Sequence, residues 1–465
     1  MTVRTASVAA VAEREFDVVV VGGGPAGEVC AGRLGDAGQE VALVEAELVG
    51  GECSFYACMP SKALLRPGEL LAEVRRIPGV REAVSGDLDV HAVLERRDEI
   101  IHNLDDSGME PWLEAHGVTL VRGRGRLDGE RRVAVGDDVL VARKAVVVAA
   151  GSDASVPPIE GLREAKPWTN REATTSKAVP DRLVILGGGV VGVEMAQAWS
   201  TLGSKVTLIE GGDRVLAREE PFAAEEVANS LQERGVDVQT GVKATGVKAS
   251  GGEVELELET GGPVRGDELL VAVGRTPRTG DLGLETVGLE PGKPIPVDDS
   301  LGAQGDWLYA IGDVNGRVLL THMGKYQGRI AADTILGKQA SIVSDGLESP
   351  RVIFTDPHVA AVGHTLEGAR GAGLNVRVVD VPTQSAAGAS FYGRDDAPGT
   401  FRIVVDEDRG VIVGATVTGV EVAEWLHAAT IAVVGEVPLE RLAHAVPAFP
   451  TRSEVWLALL EAYGV

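Results

Sequence analysis

Residues 17–27 read Asp17-Val18-Val19-Val20-Val21-Gly22-Gly23-Gly24-Pro25-Ala26-Gly27, a short apolar run that ends in a glycine loop. The valines predict a buried strand, and the spacing Gly-x-Gly-x-x-Gly predicts a tight turn into a helix. Such a loop lets the backbone approach a pyrophosphate, and the helix N-terminus supplies N–H donors and a favourable dipole. A second apolar run ends at Glu45, where a carboxylate can bind a ribose hydroxyl pair. The stretch therefore predicts a dinucleotide-binding unit.

The same unit recurs in the middle of the chain. Leu183-Val184-Ile185-Leu186 leads into Gly187-x-Gly189-x-x-Gly192, and a later apolar run ends at Glu210. The acid follows the third glycine by 18 residues in both copies (27 to 45 and 192 to 210). A generic α/β fold with glycine turns is the alternative interpretation of either copy alone. Two copies with matching strands, glycines and acids predict two bound dinucleotides.

Two of the three cysteines lie in the segment Gly50-Gly51-Glu52-Cys53-Ser54-Phe55-Tyr56-Ala57-Cys58-Met59-Pro60-Ser61-Lys62. A cysteine pair that closely follows a nucleotide-binding loop is typical of a redox disulfide rather than a structural one. In a regular helix, Cα atoms five residues apart are roughly 8–9 Å apart, whereas a disulfide needs less than about 7 Å. The sequence therefore predicts that the helix is distorted between Cys53 and Cys58 or begins irregularly at the glycines.

Length and composition indicate a globular protein of several domains. The chain has 465 residues and a hydrophobic content of 44%, with a mean hydropathy of +0.08, so we expect roughly two to four domains. No apolar run approaches the roughly 18 residues of a membrane span. We expect residues 1–15 to form a flexible tail rather than a signal peptide, and few cysteines without a targeting signal predict a cytoplasmic protein.

Charge and histidine spacing exclude further classes of partner. The net charge of −25 argues against nucleic acid and against an anionic membrane surface as partners. The eight histidines show no zinc-type spacing with cysteine, so we expect no metal site.

The cysteine segment resembles the redox-active segment of the class I pyridine nucleotide-disulfide oxidoreductases. This family includes dihydrolipoamide dehydrogenase, glutathione reductase and mercuric reductase. Its pattern Gly-Gly-x-Cys-x4-Cys-x-Pro-Ser-Lys is complete here, and the resemblance covers about residues 17 to 463. It implies an α/β fold with two Rossmann-like dinucleotide-binding domains and a C-terminal α+β dimerisation domain. The implied boundaries are 1–160 with 281–346 for the FAD domain, 161–280 for the NAD(P) domain and 347–465 for the interface domain.

The resemblance also implies cofactors, partners and residue roles. The protein would be a homodimer with FAD on the first nucleotide unit and NAD(P)H on the second. Cys58 would face the flavin as the charge-transfer thiolate, Cys53 would exchange with the acceptor, and Lys62 would lie by the flavin and pair with Glu194. The residues expected to hold the cofactors are Gly22, Gly24, Gly27, Glu45, Gly51, Gly125, Gly151, Gly187, Gly189, Gly192, Glu210, Gly274 and Asp313. Because Glu210 would repel a 2′-phosphate, we expect NADH to be preferred over NADPH.

The chain departs from the family pattern where the acceptor would react. Disulfide-reducing members carry an acid-base histidine before a C-terminal proline, with a glutamate five residues later. Here Phe449 occupies the histidine position and Glu454 is retained. Phenylalanine cannot transfer a proton, and positioned acid-base groups contribute about 10²–10⁴-fold. The last residues also contain no cysteine pair of the mercuric reductase type. Between the redox cysteines, Phe55 and Tyr56 are unusual for the family, and we expect them to reshape substrate access.

The function predicted is that of an FAD-dependent NAD(P)H oxidoreductase. Electrons would pass through FAD to the Cys53–Cys58 disulfide and then to an unidentified small-molecule acceptor of the disulfide or thiol type. One alternative is a diaphorase-type enzyme, in which the flavin reduces quinones or metal ions directly. Another is a non-catalytic flavoprotein dimer whose cysteines sense redox state.

Overall fold

The computed structural model describes residues 13–393 and 398–465. The chain forms two compact units. Among the described residues, the first unit comprises 13–55, 104–153 and 276–345, and the second unit comprises 56–103, 154–275, 346–393 and 398–465. Within the described residues, no helix is both long and apolar enough to cross a membrane.

An eight-stranded sheet with a parallel centre forms the first unit. Its main path runs through Gly302–Gln304, Leu308–Ala310, Asp138–Val148, Glu13–Val21, Val41–Glu45 and Val118–Arg122. Gly125–Leu127 and Arg132–Val135 continue it as an antiparallel ribbon beside Asp138–Val148. The α-helices of this unit are Pro25–Asp36, Gly51–Phe55, Glu110–Ala115 and Thr321–Ile335.

The central strand of this sheet is buried on both faces. Val19 and Val21 belong to one apolar cluster, Val18 and Val20 to a second one, and none of the four is more than 6% exposed. A strand covered on both faces needs an unbroken apolar run, which is what this stretch of valines supplies.

The prediction of a flexible tail over residues 1–15 is wrong for residues 13–15, which belong to a strand. Glu13–Val21 is one strand, and its first three residues pair in parallel with Val139, Leu140 and Val141. The backbone ladder extends through these residues although their side chains are exposed, and Arg132 forms a 3.0 Å ion pair with Glu13. Residues 1–12 of the predicted tail lie outside the described residues.

Three sheets form the second unit. The parallel one, with the second glycine loop, runs Asp237–Thr240, Lys205–Glu210, Arg182–Leu186 and Glu268–Val271. A small antiparallel sheet contains Ala244–Ser250, Glu253–Leu258 and Val264–Gly266. The C-terminal antiparallel sheet runs Arg351–Ile353, His358–Gly363, Val411–Gly419, Thr400–Asp406 and Val376–Pro382.

Helices pack on these sheets. The α-helices of the second unit are Cys58–Arg76, Val90–Ile100, Asn170–Thr175, Val190–Thr201, Pro221–Glu233, Leu366–Gly371, Leu426–Val434, Leu439–Leu442 and Val455–Tyr463. Short strands, Ser152–Ala154 and Arg275–Pro277, lie where the chain passes from one unit to the other. The predicted fold class is confirmed, since both glycine loops open helices beside parallel sheets and the C-terminal part combines an antiparallel sheet with helices.

Candidate active site

The first glycine loop contains two glycines that the protein itself requires. Gly22 has a φ of +111°, and a Cβ there would lie 2.3 Å from the Ala149 carbonyl oxygen. A Cβ on Gly27 would lie 1.9 Å from the Gly22 carbonyl oxygen. Gly24 is different, because its backbone is ordinary (φ −75°, ψ 178°) and a Cβ would meet no atom of the described residues within 4 Å. Gly24 precedes helix Pro25–Asp36, so the open cradle at the helix N-terminus fits a pyrophosphate.

The second glycine loop repeats this geometry. Gly187 has a φ of +112°, and a Cβ there would lie 2.5 Å from the Ala272 carbonyl oxygen. A Cβ on Gly192 would lie 1.9 Å from the Gly187 carbonyl oxygen. At Gly189, φ is −75°, and a Cβ would find open space among the described residues. This loop therefore fits a second pyrophosphate, at the N-terminus of helix Val190–Thr201.

Each loop is closed by the acid at the end of the following strand. Glu45 Oε2 accepts a 2.6 Å hydrogen bond from the Gly23 N–H, and Glu210 Oε2 accepts one of 2.6 Å from the Gly188 N–H. In each acid, the other carboxylate oxygen accepts the N–H two residues further on, at 2.7 Å and 2.6 Å respectively. A carboxylate oxygen has more than one acceptor lone pair, so both acids can still receive ribose hydroxyls.

Burial reduces the negative charge of Glu28, a carboxyl group near the N-terminus of the first helix. Burial raises the pKa of Glu28 to about 7. The positive charge of Lys325 lowers this pKa, and the negative charge of Glu45 raises it further. Glu28 lies in the first turn of helix Pro25–Asp36. A carboxyl group that is partly neutral near pH 7 repels a phosphate less than an ordinary glutamate would.

Other residues predicted to hold FAD lie in the same unit. Asp313 lies on the turn Gly312–Asn315, and its Oδ2 accepts a 2.5 Å hydrogen bond from the Ser152 hydroxyl. Gly151 has a φ of +73°. At Gly125, a Cβ would lie 3.0 Å from a Val21 methyl group, so core packing already accounts for this glycine. Whether its backbone also contacts the cofactor stays a prediction. In the second unit, Gly274 has a φ of +140°.

The segment with the redox cysteines begins on the first glycine loop. The Gly50 N–H donates a 2.8 Å hydrogen bond to the Gly23 carbonyl oxygen. A Cβ on Gly51, where φ is +57°, would lie 2.9 Å from the Gly24 Cα atom. Only glycine permits this close approach. The helix that contains Cys53 therefore starts in direct contact with the loop that fits a pyrophosphate.

The predicted distortion between the cysteines is confirmed. Helix Gly51–Phe55 contains Cys53 and ends before helix Cys58–Arg76 begins. Ala57, directly before the second helix, has a φ of −135° and a ψ of −93°. This break removes the regular helical spacing that would keep the two cysteines too far apart for a disulfide.

The two aromatic residues between the cysteines have different environments. The expectation that both reshape substrate access is wrong for Phe55, which is 3% exposed and packs against Gly50. Tyr56 is half-buried, and its carbonyl oxygen accepts hydrogen bonds from Asn170 Nδ2 at 2.9 Å and Thr174 Oγ1 at 3.0 Å. The guanidinium of Arg171 lies 4.4 Å from the centre of the Tyr56 ring. Helix Asn170–Thr175 thus fixes the backbone just before Cys58.

The structure brings the predicted pair Lys62 and Glu194 together. Lys62 Nζ lies 2.8 Å from Glu194 Oε2, and the glutamate side chain is 4% exposed. The other carboxylate oxygen of Glu194 accepts a 3.0 Å hydrogen bond from the Phe354 N–H. Lys62 follows Cys58 by four residues on helix Cys58–Arg76, and positions four residues apart share one face of a helix.

The C-terminal segment carries the unusual phenylalanine. Phe449 is 77% exposed in the described chain. Glu454 Oε2 accepts hydrogen bonds from the Thr451 N–H at 3.2 Å and the Gly388 N–H at 3.3 Å, so it caps the turn Arg452–Glu454. The retained glutamate therefore has a structural role independent of any histidine at position 449.

Arg278 and Phe354 make contacts that the sequence analysis did not predict. Arg278 bridges Glu52 at 3.0 Å and Asp153 at 2.6 Å in the first unit. Phe354 contacts both members of the Lys62–Glu194 pair. Neither has a local sequence signal, because their partners are more than 100 residues away along the chain. Among residues 13–393 and 398–465, no three His, Cys, Asp or Glu side chains are grouped to hold a metal ion.

Comparisons with known proteins agree with this geometry. The family model described as pyridine nucleotide-disulphide oxidoreductase matches residues 16–328, and the dimerisation-domain model of the same family matches residues 349–459. The chain is 33% identical to dihydrolipoyl dehydrogenase from Thermus scotoductus, with 97% of each chain covered. It is 29% identical to mercuric reductase from Staphylococcus aureus, over 95% of this chain and 81% of that protein.

A solved structure with the same fold is the Cu(II) complex of the HOCl-induced flavoprotein disulfide reductase RclA from Escherichia coli. Its TM-score is 0.84 at 25% identity, with 96% of this chain and 99% of that chain covered. This chain therefore belongs to the pyridine nucleotide-disulphide oxidoreductase family, and it is a flavin-dependent enzyme that uses FAD and NAD(P)H.

Proposed function

We propose that this enzyme passes electrons from NAD(P)H through FAD to a Cys53–Cys58 disulfide, and from the reduced pair to a small-molecule acceptor. The main support for this proposal is the contact between Gly50 and the first glycine loop, in which the Gly50 N–H donates a 2.8 Å hydrogen bond to the Gly23 carbonyl oxygen. A dinucleotide bound at that loop would therefore lie next to the start of the cysteine segment. In the proposed enzyme, this short piece of backbone would couple the flavin to the cysteines.

The chain would contribute to the reaction as follows. FAD, when bound, supplies the two electrons that it has received from NAD(P)H. Reduction breaks the S–S bond and takes up two electrons and one proton, which leaves a thiol at Cys53 and a thiolate at Cys58. The Lys62 ammonium and the N-terminus of helix Cys58–Arg76 stabilise this thiolate. Cys53 would then exchange with the acceptor.

The acceptor would be one that does not need a proton from position 449. Phe449 has no titratable group, so a thiolate leaving from an ordinary disulfide substrate would depart without general-acid assistance. A disulfide with acidic thiols fits this requirement, because its thiolate is stable without a proton. The proposed acceptor class is therefore a disulfide or thiol-linked compound with a good leaving group.

A metal ion is the second candidate acceptor. Reduction of a metal ion needs no protonated leaving group, which agrees with Phe449. Two of the similar proteins are a mercuric reductase and a flavoprotein disulfide reductase solved as a Cu(II) complex. Cu(II) is accordingly the metal to test first.

The oligomeric state and organisation also belong to this proposal. The dimerisation-domain match over residues 349–459 supports a homodimer in which the Phe449 to Glu454 segment closes the partner's redox centre. We retain 1–160 with 281–346, 161–280 and 347–465 as the proposed FAD, NAD(P) and interface domains, and the cytoplasm as the proposed location.

A cysteine-variant comparison tests the electron route. NADH oxidation would be measured with an aromatic disulfide, Cu(II) and a quinone as acceptors, in wild type, Cys53→Ser and the control Cys30→Ala. Cys30 is a fully buried cysteine in the first unit, so it reports any general effect of losing a sulfur atom. We expect Cys53→Ser to lose disulfide reduction and retain quinone reduction, while Cys30→Ala retains both. Undiminished disulfide reduction in Cys53→Ser would contradict the proposed route and favour direct transfer from the flavin.

The assay with Cu(II) as acceptor tests the proposal that the acceptor is a metal ion. Loss of Cu(II) reduction in Cys53→Ser assigns the metal to the cysteines, whereas full retention assigns it to the flavin. If wild type does not reduce Cu(II) at all, the metal-ion proposal fails and the disulfide proposal is unaffected.

A further inference from the structure

One residue, Phe354, contacts both members of the Lys62–Glu194 ion pair, Glu194 through its backbone N–H and Lys62 through its ring. The Phe354 backbone N–H donates to Glu194 Oε1 at 3.0 Å, and the Lys62 ammonium lies 4.7 Å from the centre of the Phe354 ring. Glu194 Oε2 in turn lies 2.8 Å from Lys62 Nζ. Three groups thus form a closed set of contacts, in which removal of the ring leaves the lysine attached at one point only.

The Phe354 ring is itself fixed from its other side. Its centre lies 5.5 Å from that of the His358 ring, at an interplanar angle of 64°. His358 is 6% exposed, and its Nε2 lies 2.8 Å from Glu69 Oε1, on the same helix as Cys58 and Lys62. Helix Cys58–Arg76 therefore contacts this segment twice. Lys62 contacts Phe354, and Glu69, two turns later, contacts His358.

The backbone around Phe354 is also held in place. Gln197 Oε1 accepts a 2.7 Å hydrogen bond from the Asp356 N–H, and Gln197 lies one turn after Glu194 on helix Val190–Thr201. The Asp356 carboxylate in turn accepts from Arg76 and Arg234, each at 2.5 Å. These buried contacts leave Phe354 little freedom, so its ring is a rigid support for the lysine.

We infer that Phe354 is a positioning residue that holds the Lys62 ammonium toward Cys58, and that loss of its ring lowers the fraction of Cys58 thiolate. The inference rests on the role of Lys62 in the proposed function. The cation–π contact attracts the Lys62 ammonium to the face of the Phe354 ring, and removal of the ring removes this attraction. Lys62 lies one helical turn after Cys58 on the same helix, and loss of a positive charge at this spacing makes the thiolate form less favourable.

Alkylation of Cys58 measures this effect without turnover. The thiolate is the species that reacts with iodoacetamide, so the rate at pH 7 reports its fraction. Measurements would use reduced holoenzyme with Cys53→Ser as the parent, so that only one redox cysteine reacts. Phe354→Leu and Phe354→Met remove the ring, and Phe354→Tyr keeps it. Two different ring deletions keep the test decisive if one of them does not fold.

Phe222 provides the matched control. Like Phe354, it is a half-buried phenylalanine packed against the same apolar cluster, and the guanidinium of Arg402 lies 4.9 Å from its ring centre. Phe222→Leu therefore removes a comparable ring beneath a cation that has no connection to Cys58. Lys62→Met in the same parent measures the full effect of losing the ammonium.

We expect the alkylation rate to fall about three- to tenfold in Phe354→Leu, Phe354→Met and Lys62→Met. Phe354→Tyr and Phe222→Leu should react at the parental rate. A parental rate in both ring deletions, with a slower Lys62→Met, would overturn the inference and leave the proposed role of Lys62 intact. An equal loss in Phe222→Leu or in Phe354→Tyr would also overturn it, because the effect would then be general packing. A parental rate in Lys62→Met would overturn the role of Lys62 and this inference together.

Discussion

Glu210 accepts a hydrogen bond of 2.6 Å from the Gly188 N–H, so its carboxylate is held at the mouth of the second glycine loop. A 2′-phosphate on the adenosine ribose would meet this negative charge. Arg214, in the following loop, donates from Nη2 to the Ala217 carbonyl oxygen at 3.0 Å.

We predict a preference for NADH over NADPH of at least about tenfold in kcat/KM, on the scale of one close charge repulsion. Glu210→Gln should reduce this ratio, whereas Glu45→Gln at the equivalent position of the first loop should not change it. Steady-state rates with both nucleotides measure the ratio. Equal or better kcat/KM with NADPH in wild type would show that Glu210 does not select the nucleotide.

Gly24 and Gly189 are the two loop glycines that the described protein does not need for its own packing. A Cβ at either position would therefore be tolerated by the fold but would enter the space of a bound pyrophosphate. We predict that Gly24→Ala loses FAD and that Gly189→Ala keeps FAD but raises the KM for NADH at least about tenfold, a clash of about 1.4 kcal/mol or more. Bound flavin absorbance and NADH titration check this reciprocal pattern. If Gly24→Ala retains stoichiometric FAD, the assignment of the first loop is wrong.

Much of the fold is predictable from the sequence, because local patterns determine it. The valines before Gly22 and the apolar run before Gly187 are long enough, and their glycines specific enough, to predict two parallel nucleotide-binding units. The interval between Cys53 and Cys58 predicts that the helix is distorted between them or begins irregularly at the glycines, because disulfide geometry and regular helix geometry are incompatible. The structure places the break at Ala57. Glu13 to Glu15 were not predictable as a strand, because their polar side chains give no apolar alternation and the pairing is through backbone alone.

The site is less predictable where side chains meet across long stretches of sequence. Phe55 looks like a residue that faces substrate, because it lies between two redox cysteines, but it is buried against Gly50. No local pattern predicts that Phe354 contacts Lys62, and this contact follows from the packing of the C-terminal sheet on the second unit's core. Such contacts depend on tertiary structure and leave no periodic signal in the sequence.

Glu28 predicts a pH dependence of stability in the FAD-free protein. Burial raises its pKa from 4.5 to about 7, so the folded state binds this proton more tightly than the unfolded state does. The resulting stabilisation is complete below about pH 4.5 and is lost as the pH rises through about 7. Glu28→Gln should remove this loss, which amounts to about 1–3 kcal/mol.

Thermal unfolding of the FAD-free protein at pH 5 and pH 8 measures the effect. Between these values, wild type should lose more stability than Glu28→Gln, by a difference of about one to a few degrees in Tm. Glu114→Gln, at an exposed helix position in the same unit, should behave as wild type. The same pH dependence in wild type and Glu28→Gln would contradict the prediction.

Phe449 predicts slow reduction of unactivated disulfides. Wild type should turn over lipoamide or glutathione disulfide well below about 10 per second, the typical enzyme rate. Phe449→His should raise that rate by up to about 10²-fold, because it restores an acid-base group near Glu454. Steady-state NADH oxidation with each disulfide checks both statements.

Two variants control for this gain. Phe391→His places a histidine at another exposed phenylalanine of the same unit and should give no increase. Phe449→His combined with Glu454→Gln should lose part of the gain if the glutamate orients the new histidine. Normal lipoamide turnover in wild type would refute the argument from Phe449.

The most direct test of the electron route is an anaerobic titration with NADH, followed by absorbance. If FAD and the Cys53–Cys58 disulfide are coupled as proposed, addition of two electrons should produce a long-wavelength charge-transfer band from the Cys58 thiolate to the oxidised flavin. The Cys53→Ser variant should show this band without reduction, and the Cys58→Ser variant should not show it under any condition. A wild-type protein that passes directly to fully reduced flavin without the band, or a band that persists in Cys58→Ser, would contradict the account.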